Sequence, residues 1–173
     1  MQRNAEVGFF AKPSKISEKG RGNALANSLL IPLNDSVASS AVVDFLINMS
    51  FCPEGCHITL IHVFRKPTSG EELMGKKFMD EQPAKHKALL EKAKQRLVSE
   101  KGFDPDQIDI QLLTDQYPSV TEGIIDFFTK GQYDMVIIGR KKMSKSEEFI
   151  MGDISVKLVR SLEKTSILVV KPG

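Results

Sequence analysis

The sequence predicts an α/β domain built as an open, doubly wound parallel sheet with helices on both faces. Three observations predict it. Short, continuously apolar runs recur along the chain, as strands covered on both faces require. The segments between them carry apolar residues at helical spacing. Every strand-to-strand connection is long enough for a right-handed crossover.

Residues 1–27 carry five Lys/Arg against two Glu and no strand or helix periodicity, so they read as a flexible basic arm preceding a domain at 28–173. Residues 28–33 (Ser-Leu-Leu-Ile-Pro-Leu) are the first buried strand, with Pro32 near its end, where a ladder bond can be spared. Asn34-Asp35-Ser36 supplies turn and cap chemistry. Ala38, Val42, Phe45, Leu46 and Met49 then recur at helical spacing. A second strand is expected at 57–64, followed by a long polar insertion at 65–83. Within the insertion, Gly70 to Lys77 mimics the P-loop spacing, but Lys77 stands where the magnesium-binding hydroxyl belongs, so the match is discounted.

From 84 to 101, Ala88, Leu89, Ala93, Leu97 and Val98 form one apolar stripe, and Gly102 is placed to end that helix. Ile108, Ile110 and Leu112 alternate with more polar neighbours, which predicts a strand near a sheet edge. A helix over 118–130 is expected to bury Val120, Ile124, Phe127 and Phe128. Residues 135–138 are again continuously apolar and therefore central. A helix over 153–162 precedes the last strand, Ser166 to Val170, which Pro172 terminates. That strand is apolar, yet it should lie at the edge opposite the third strand. Exposed apolar edges invite pairing, so a homodimer through Ser166 to Val170 is expected.

At 173 residues the chain is long enough to bury a core without disulfides or metal, and its 41% hydrophobic and 27% charged composition is that of a globular protein. A net charge of +2 is too small to argue for nucleic acid. No apolar segment reaches membrane-spanning length and no signal core is evident, so a cytoplasmic location without membrane association is expected. Cys52 and Cys56 are read as reduced thiols. His57, His62 and His86 show no metal-ligand spacing, and His62 reads as a strand histidine.

The functional signal lies between Gly139 and Ser155. An apolar strand stops at Gly139, a basic loop with Arg140, Lys141, Lys142 and Lys145 beside Glu147 and Glu148 follows, and Gly152 opens a helix. Strand, loop and helix N-terminus make an anion-binding geometry, because the first helical amides lack intrahelical partners. In a doubly wound sheet this loop and the turn after Leu33 both lie at the carboxyl ends of the strands, where ligands bind.

The run from Ser28 to Pro172 resembles the universal stress protein (UspA-like) family. Leu30 to Ser36 is similar to its first strand and turn, Leu60 to Val63 to its second strand, and Gly139 to Ser155 to its nucleotide loop. The resemblance implies a five-stranded sheet in order 3-2-1-4-5, a homodimer through the last strand, and a crevice for an adenine nucleotide such as ATP. The residues it places there are Pro32, Asn34, Val63, Gly139, Lys142, Gly152, Asp153 and Ser155. Gly139 and Gly152 match the first and third glycines of the family's G-x2-G-x9-G-[ST] loop, Val63 matches a valine beside the adenine, and Ser155 a hydroxyl further into the helix.

Three positions depart from that pattern. Lys142 replaces the second glycine, Asp153 replaces the Ser/Thr, and Asn34 replaces an acid at the end of the first strand. Lys142 loses glycine's close backbone approach while its ammonium can still attract phosphate as a point charge. Asp153 puts negative charge where a polyphosphate would lie, a repulsion on the order of 1 to 4 kcal/mol at effective dielectrics of about 80 to 20. Since about 1.4 kcal/mol is tenfold in affinity, this argues against tight ATP binding. Lys142 and Asp153 either pair across the phosphate position or serve as an exposed lysine and an ordinary helix cap. The expected function is a non-catalytic stress-response regulatory module. The alternative is an ATP-binding member with slow hydrolysis or autophosphorylation.

Overall fold

The computed structural model describes residues 27–50, 55–64, 76–141 and 154–173, with side chains from 82 onward in the helix that begins at 76. Five parallel strands, β1 (Asn27–Pro32), β2 (Cys56–Val63), β3 (Ile108–Leu113), β4 (Met135–Gly139) and β5 (Ser166–Val170), form one sheet in the order β3-β2-β1-β4-β5. Among the described residues four α-helices connect them: α1 (Val37–Asn48), α2 (Lys76–Arg96), α3 (Val120–Lys130) and α4 (Ile154–Ser161). The expected sheet order is therefore the observed one.

Strand order dictates which face each helix covers. The connections from β1 to β3 run towards one edge and those from β3 to β5 run back, so right-handed crossovers put α1 and α2 on one face and α3 and α4 on the other. Two buried clusters record this. Leu29, Ile31 and Leu60 face Val42, Leu46, Leu90 and Leu97 from α1, α2 and its extension. Leu30, Ile61 and Val136 face Ile124, Phe128 and Leu158 from α3 and α4. Alternate residues of β1 thus enter opposite clusters, as a strand's period of two requires.

Several local expectations are corrected. The second helix begins at Lys76, so the polar insertion of 65–83 is helical over its last part and contains Pro83 inside the helix. Its stripe also shifts: Leu90 is fully buried, whereas Ala88 is exposed. Leu97–Lys101 continues α2 as a π-helical turn, which moves the buried face by part of a turn. Gly102 ends it with φ 83°, and its N–H donates to the Leu97 and Val98 carbonyls. Val120, expected in the core, is 38% exposed because Ser119 caps the helix immediately before it and the core side starts at Thr121 and Ile124. Asn27, the last residue of the arm expected at 1–27, instead opens β1; residues 1–26 of that arm, Cys52, and residues 70–75 of the P-loop mimic lie outside the described residues. Cys56 is a buried free thiol. No helix among the described residues is long and apolar enough to cross a membrane.

Candidate functional site

The centre of the sheet is where the chain reverses direction, between β1 and β4. The β1–β4 ladder pairs Leu29 with Met135 and Leu30 with Val136, whereas β1 stays paired with β2 as far as Pro32. Beyond Leu30 the first strand therefore parts from the fourth while remaining with the second. Two central strands that separate at their carboxyl ends leave a crevice at the switch point.

Asn34 sits at the mouth of this crevice, exposed and held by α1. Ser36, the N-cap, accepts a hydrogen bond from the Ser39 N–H at 3.2 Å. The Ser36 and Ser39 hydroxyls donate to Asn34 Oδ1 at 2.6 and 2.7 Å, and the Asn34 N–H donates back to Ser39 Oγ at 2.9 Å. A carbonyl oxygen has two lone pairs, so the Asn34 acceptor is fully engaged within the turn. Sequence reasoning found Ser36 as a cap but missed Ser39, which is buried. The signal was present in the short polar run Ser39-Ser40 on an otherwise apolar helix.

Gly139 closes the other side. A Cβ placed on it would lie 2.5 Å from the Ala38 carbonyl carbon, in collision with that peptide group, and 3.1 Å from Ala38 Cβ. The end of β4 thus passes directly against the first turn of α1, and only a glycine permits the approach. Arg140 continues the strand, its N–H donating to the Val170 carbonyl at 2.8 Å.

Val63 ends β2, two residues beyond the Ile61 that pairs with Pro32, and its side chain turns to the α3–α4 face. Its side chain is 7% exposed in the cluster under α3. A Cβ on Gly123 would meet Val63 Cγ1 at 2.7 Å and Tyr117 Cδ2 at 3.0 Å. Tyr117, which sequence reasoning did not select, donates to Asp126 Oδ2 at 2.9 Å. Burial, reinforced by the Asp126 carboxylate, raises its hydroxyl pKa, so it stays protonated. Ser155 is buried in the first turn of α4. Of the expected site residues, Pro32, Asn34 and Gly139 come together at the switch point, and Val63 and Ser155 sit on the α3–α4 side. Lys142, Gly152 and Asp153, with Lys145, Glu147 and Glu148, lie outside the described residues.

A histidine pair borders this region. His62 Nδ1 donates to the Leu33 carbonyl at 2.8 Å, and the rings of His62 and His86 stack with centroids 3.9 Å apart and 15° between planes. Burial lowers the His62 pKa, against the hydrogen bond to Leu33, which raises it. Burial also lowers that of His86, helped by the charges of His62 and Lys85 and opposed by Asp35. Both rings are therefore neutral at neutral pH. Among the described residues no cluster of His, Cys, Asp or Glu could hold a metal ion.

Residues 26–171 match the profile of the Universal stress protein family. The chain belongs to that family. Among solved structures it is similar to a universal stress protein family protein from Burkholderia pseudomallei, at 14% identity over 86% of this chain and 98% of that one, with a TM-score of 0.59. It is similar also to a family protein from Arabidopsis thaliana solved with AMP bound (14% identity, 85% of this chain and 92% of that one, TM-score 0.57). A third is the universal stress protein from Archaeoglobus fulgidus in complex with dAMP (13% identity, 85% and 99% covered, TM-score 0.53). Among curated proteins, none matches this sequence. At such identities the structural likeness establishes the fold.

Proposed function

We propose that this universal stress protein is a non-catalytic regulatory module whose switch-point crevice takes adenine nucleotides without the tight hold on ATP of the family's ATP-binding branch. The observation that carries the reading is the engagement of Asn34. Where that branch is implied to present a free carboxylate, this chain presents a neutral amide whose oxygen already accepts two hydroxyl hydrogen bonds from α1. The adenine nucleotide class draws support from the family proteins solved with AMP and dAMP. The loop substitutions Lys142 and Asp153 weigh against the triphosphate for the electrostatic reason given above.

The protein acts as a homodimer paired through β5. That strand is an edge, hydrogen-bonded among the described residues to β4 alone, and Ile167 to Val170 are only half-buried within one chain. A second copy would cover them.

Calorimetric titration of ATP and AMP into the wild type and into Lys142→Gly/Asp153→Ser tests the nucleotide reading. Removing the misplaced charge should tighten ATP binding by about tenfold or more. Micromolar ATP binding by the wild type, or ATP hydrolysis above the protein-free rate, would overturn it. Sedimentation velocity tests the dimer, and a chain that stays monomeric at all concentrations is against it.

A further inference from the structure

The groove between α1 and α2 opens into a cleft of about 390 Å³. This is within the range of about 300–1,000 Å³ typical of small-molecule sites. Its floor is apolar: Leu33, Val43 and Ala93 are buried, and Leu89 is partly covered. Its rim is cationic. Lys85, Lys92 and Arg96 stand along α2 at spacings that share one helix face, against the single carboxylate of Asp35.

The three cations are not equivalent. Arg96 is committed at the far end, with Nε and Nη2 donating to the Glu100 carboxylate at 2.7 and 3.0 Å and Nη1 donating to Asp44 at 2.8 Å. Lys85 lies 3.4 Å from Asp35 in an exposed pair, which is weak. Lys92 makes no ion pair or hydrogen bond with any described residue. Across the cleft, the Ser40 hydroxyl has only a long 3.4 Å contact to the Ser36 carbonyl of its own helix. An uncommitted ammonium from α2 and a nearly free hydroxyl from α1 thus line one cleft with an apolar floor.

We propose that this cleft is a second small-molecule site, for a ligand with an apolar body and one anionic head. The body lies on Leu33, Val43 and Leu89, where burial removes its surface from water, and Lys92 with Ser40 receives the head. Asn34 to Ser36 line one end of the cleft and also form the mouth of the nucleotide crevice. Occupancy of one site therefore bears on the same turn as the other.

The test is a titration of the full-length, isotope-labelled chain with the amphiphilic anion anilinonaphthalene sulfonate, followed by amide NMR and by probe fluorescence. Saturable shifts at Val43, Ala88, Leu89 and Lys92 are expected, undisplaced by excess AMP. The exposed substitution Lys92→Glu should weaken binding about tenfold or more, the scale of a lost hydrogen bond to a charged group. Ala88→Trp, also at an exposed position, should block the cleft. Both keep the amide spectrum of the folded chain. Shifts that map instead to the exposed Ile154, Val156 and Val159 of α4 would overturn the proposal. So would an unchanged affinity in Lys92→Glu, or competitive displacement by AMP.

Discussion

Replacing Gly139 with alanine tests whether the close approach of β4 to α1 is a packing requirement of the fold. The new methyl carbon would fall 2.5 Å from the Ala38 carbonyl carbon, well inside any real Cβ contact. Both partners are backbone, so no side-chain rotation relieves the clash. Either α1 shifts its first turn or β4 bends away from it. Among the described glycines only Gly102 has positive φ, so the cost at Gly139 is steric and not conformational. Overpacking of this kind costs about 1–3 kcal/mol, and a backbone collision belongs at the upper end. For a chain of this size each kcal/mol lowers the Tm by about 2–4 °C. Urea unfolding should show a reduced midpoint at unchanged slope. Gly55→Ala is the control, because a Cβ there meets nothing within 4 Å and its effect should stay within about 0.5 kcal/mol. A Gly139→Ala protein as stable as this control would refute the reasoning. The outcome also bears on function: the family resemblance assigns Gly139 to a phosphate loop, but its packing against Ala38 demands glycine whether or not phosphate binds.

Two further predictions concern stability. His62 and His86 have pKa values below the ordinary 6.5 in the folded chain. As pH falls through 6.5 the unfolded chain takes up these protons first, so stability is full above that pH and declines below it, by at most about 1.4 kcal/mol per pH unit for each histidine. Urea midpoints measured from neutral to mildly acidic pH should show the decline, and His62→Gln/His86→Phe should flatten it; an equally steep decline in that double variant would remove the histidines as its cause. Gly102→Ala forces a side chain into the left-handed region at φ 83° and should cost about 1–2 kcal/mol, read from the thermal midpoint, with no loss expected in Gly55→Ala.

The Asn34 turn and the histidine stack share a physical theme. Both tie the carboxyl end of β1 to the α1–α2 face, through Ser39 on one side of the chain and the Leu33 carbonyl on the other. The crevice mouth is therefore built on the same layer that encloses the α1–α2 cleft, and a change in packing there would be felt at Asn34.

Strand identity was legible in the sequence because burial on both faces leaves short, continuously apolar runs bounded by turn residues. Runs such as Leu29-Leu30-Ile31 and Val136-Ile137-Ile138 have no polar position to alternate with, and the sheet buries every residue in them. The mixed pattern of β3 likewise announced an edge. Helix starts were less legible. The first turn of α2 is charged, and Pro83 reads as a terminator although a helix formed on both sides of it can retain it.

The sequence alone determined the doubly wound fold, because it follows from periodicity, and its resemblance from Ser28 to Pro172 pointed to the family that the profile match shows. Tertiary structure decided what individual residues do. Gly139 is pressed against Ala38, the Asn34 oxygen is consumed by Ser36 and Ser39, and His62 stacks on His86. Each of these contacts joins different elements or fixes the angle at which they meet. A one-dimensional pattern records which face a side chain occupies, but not which atom waits for it there.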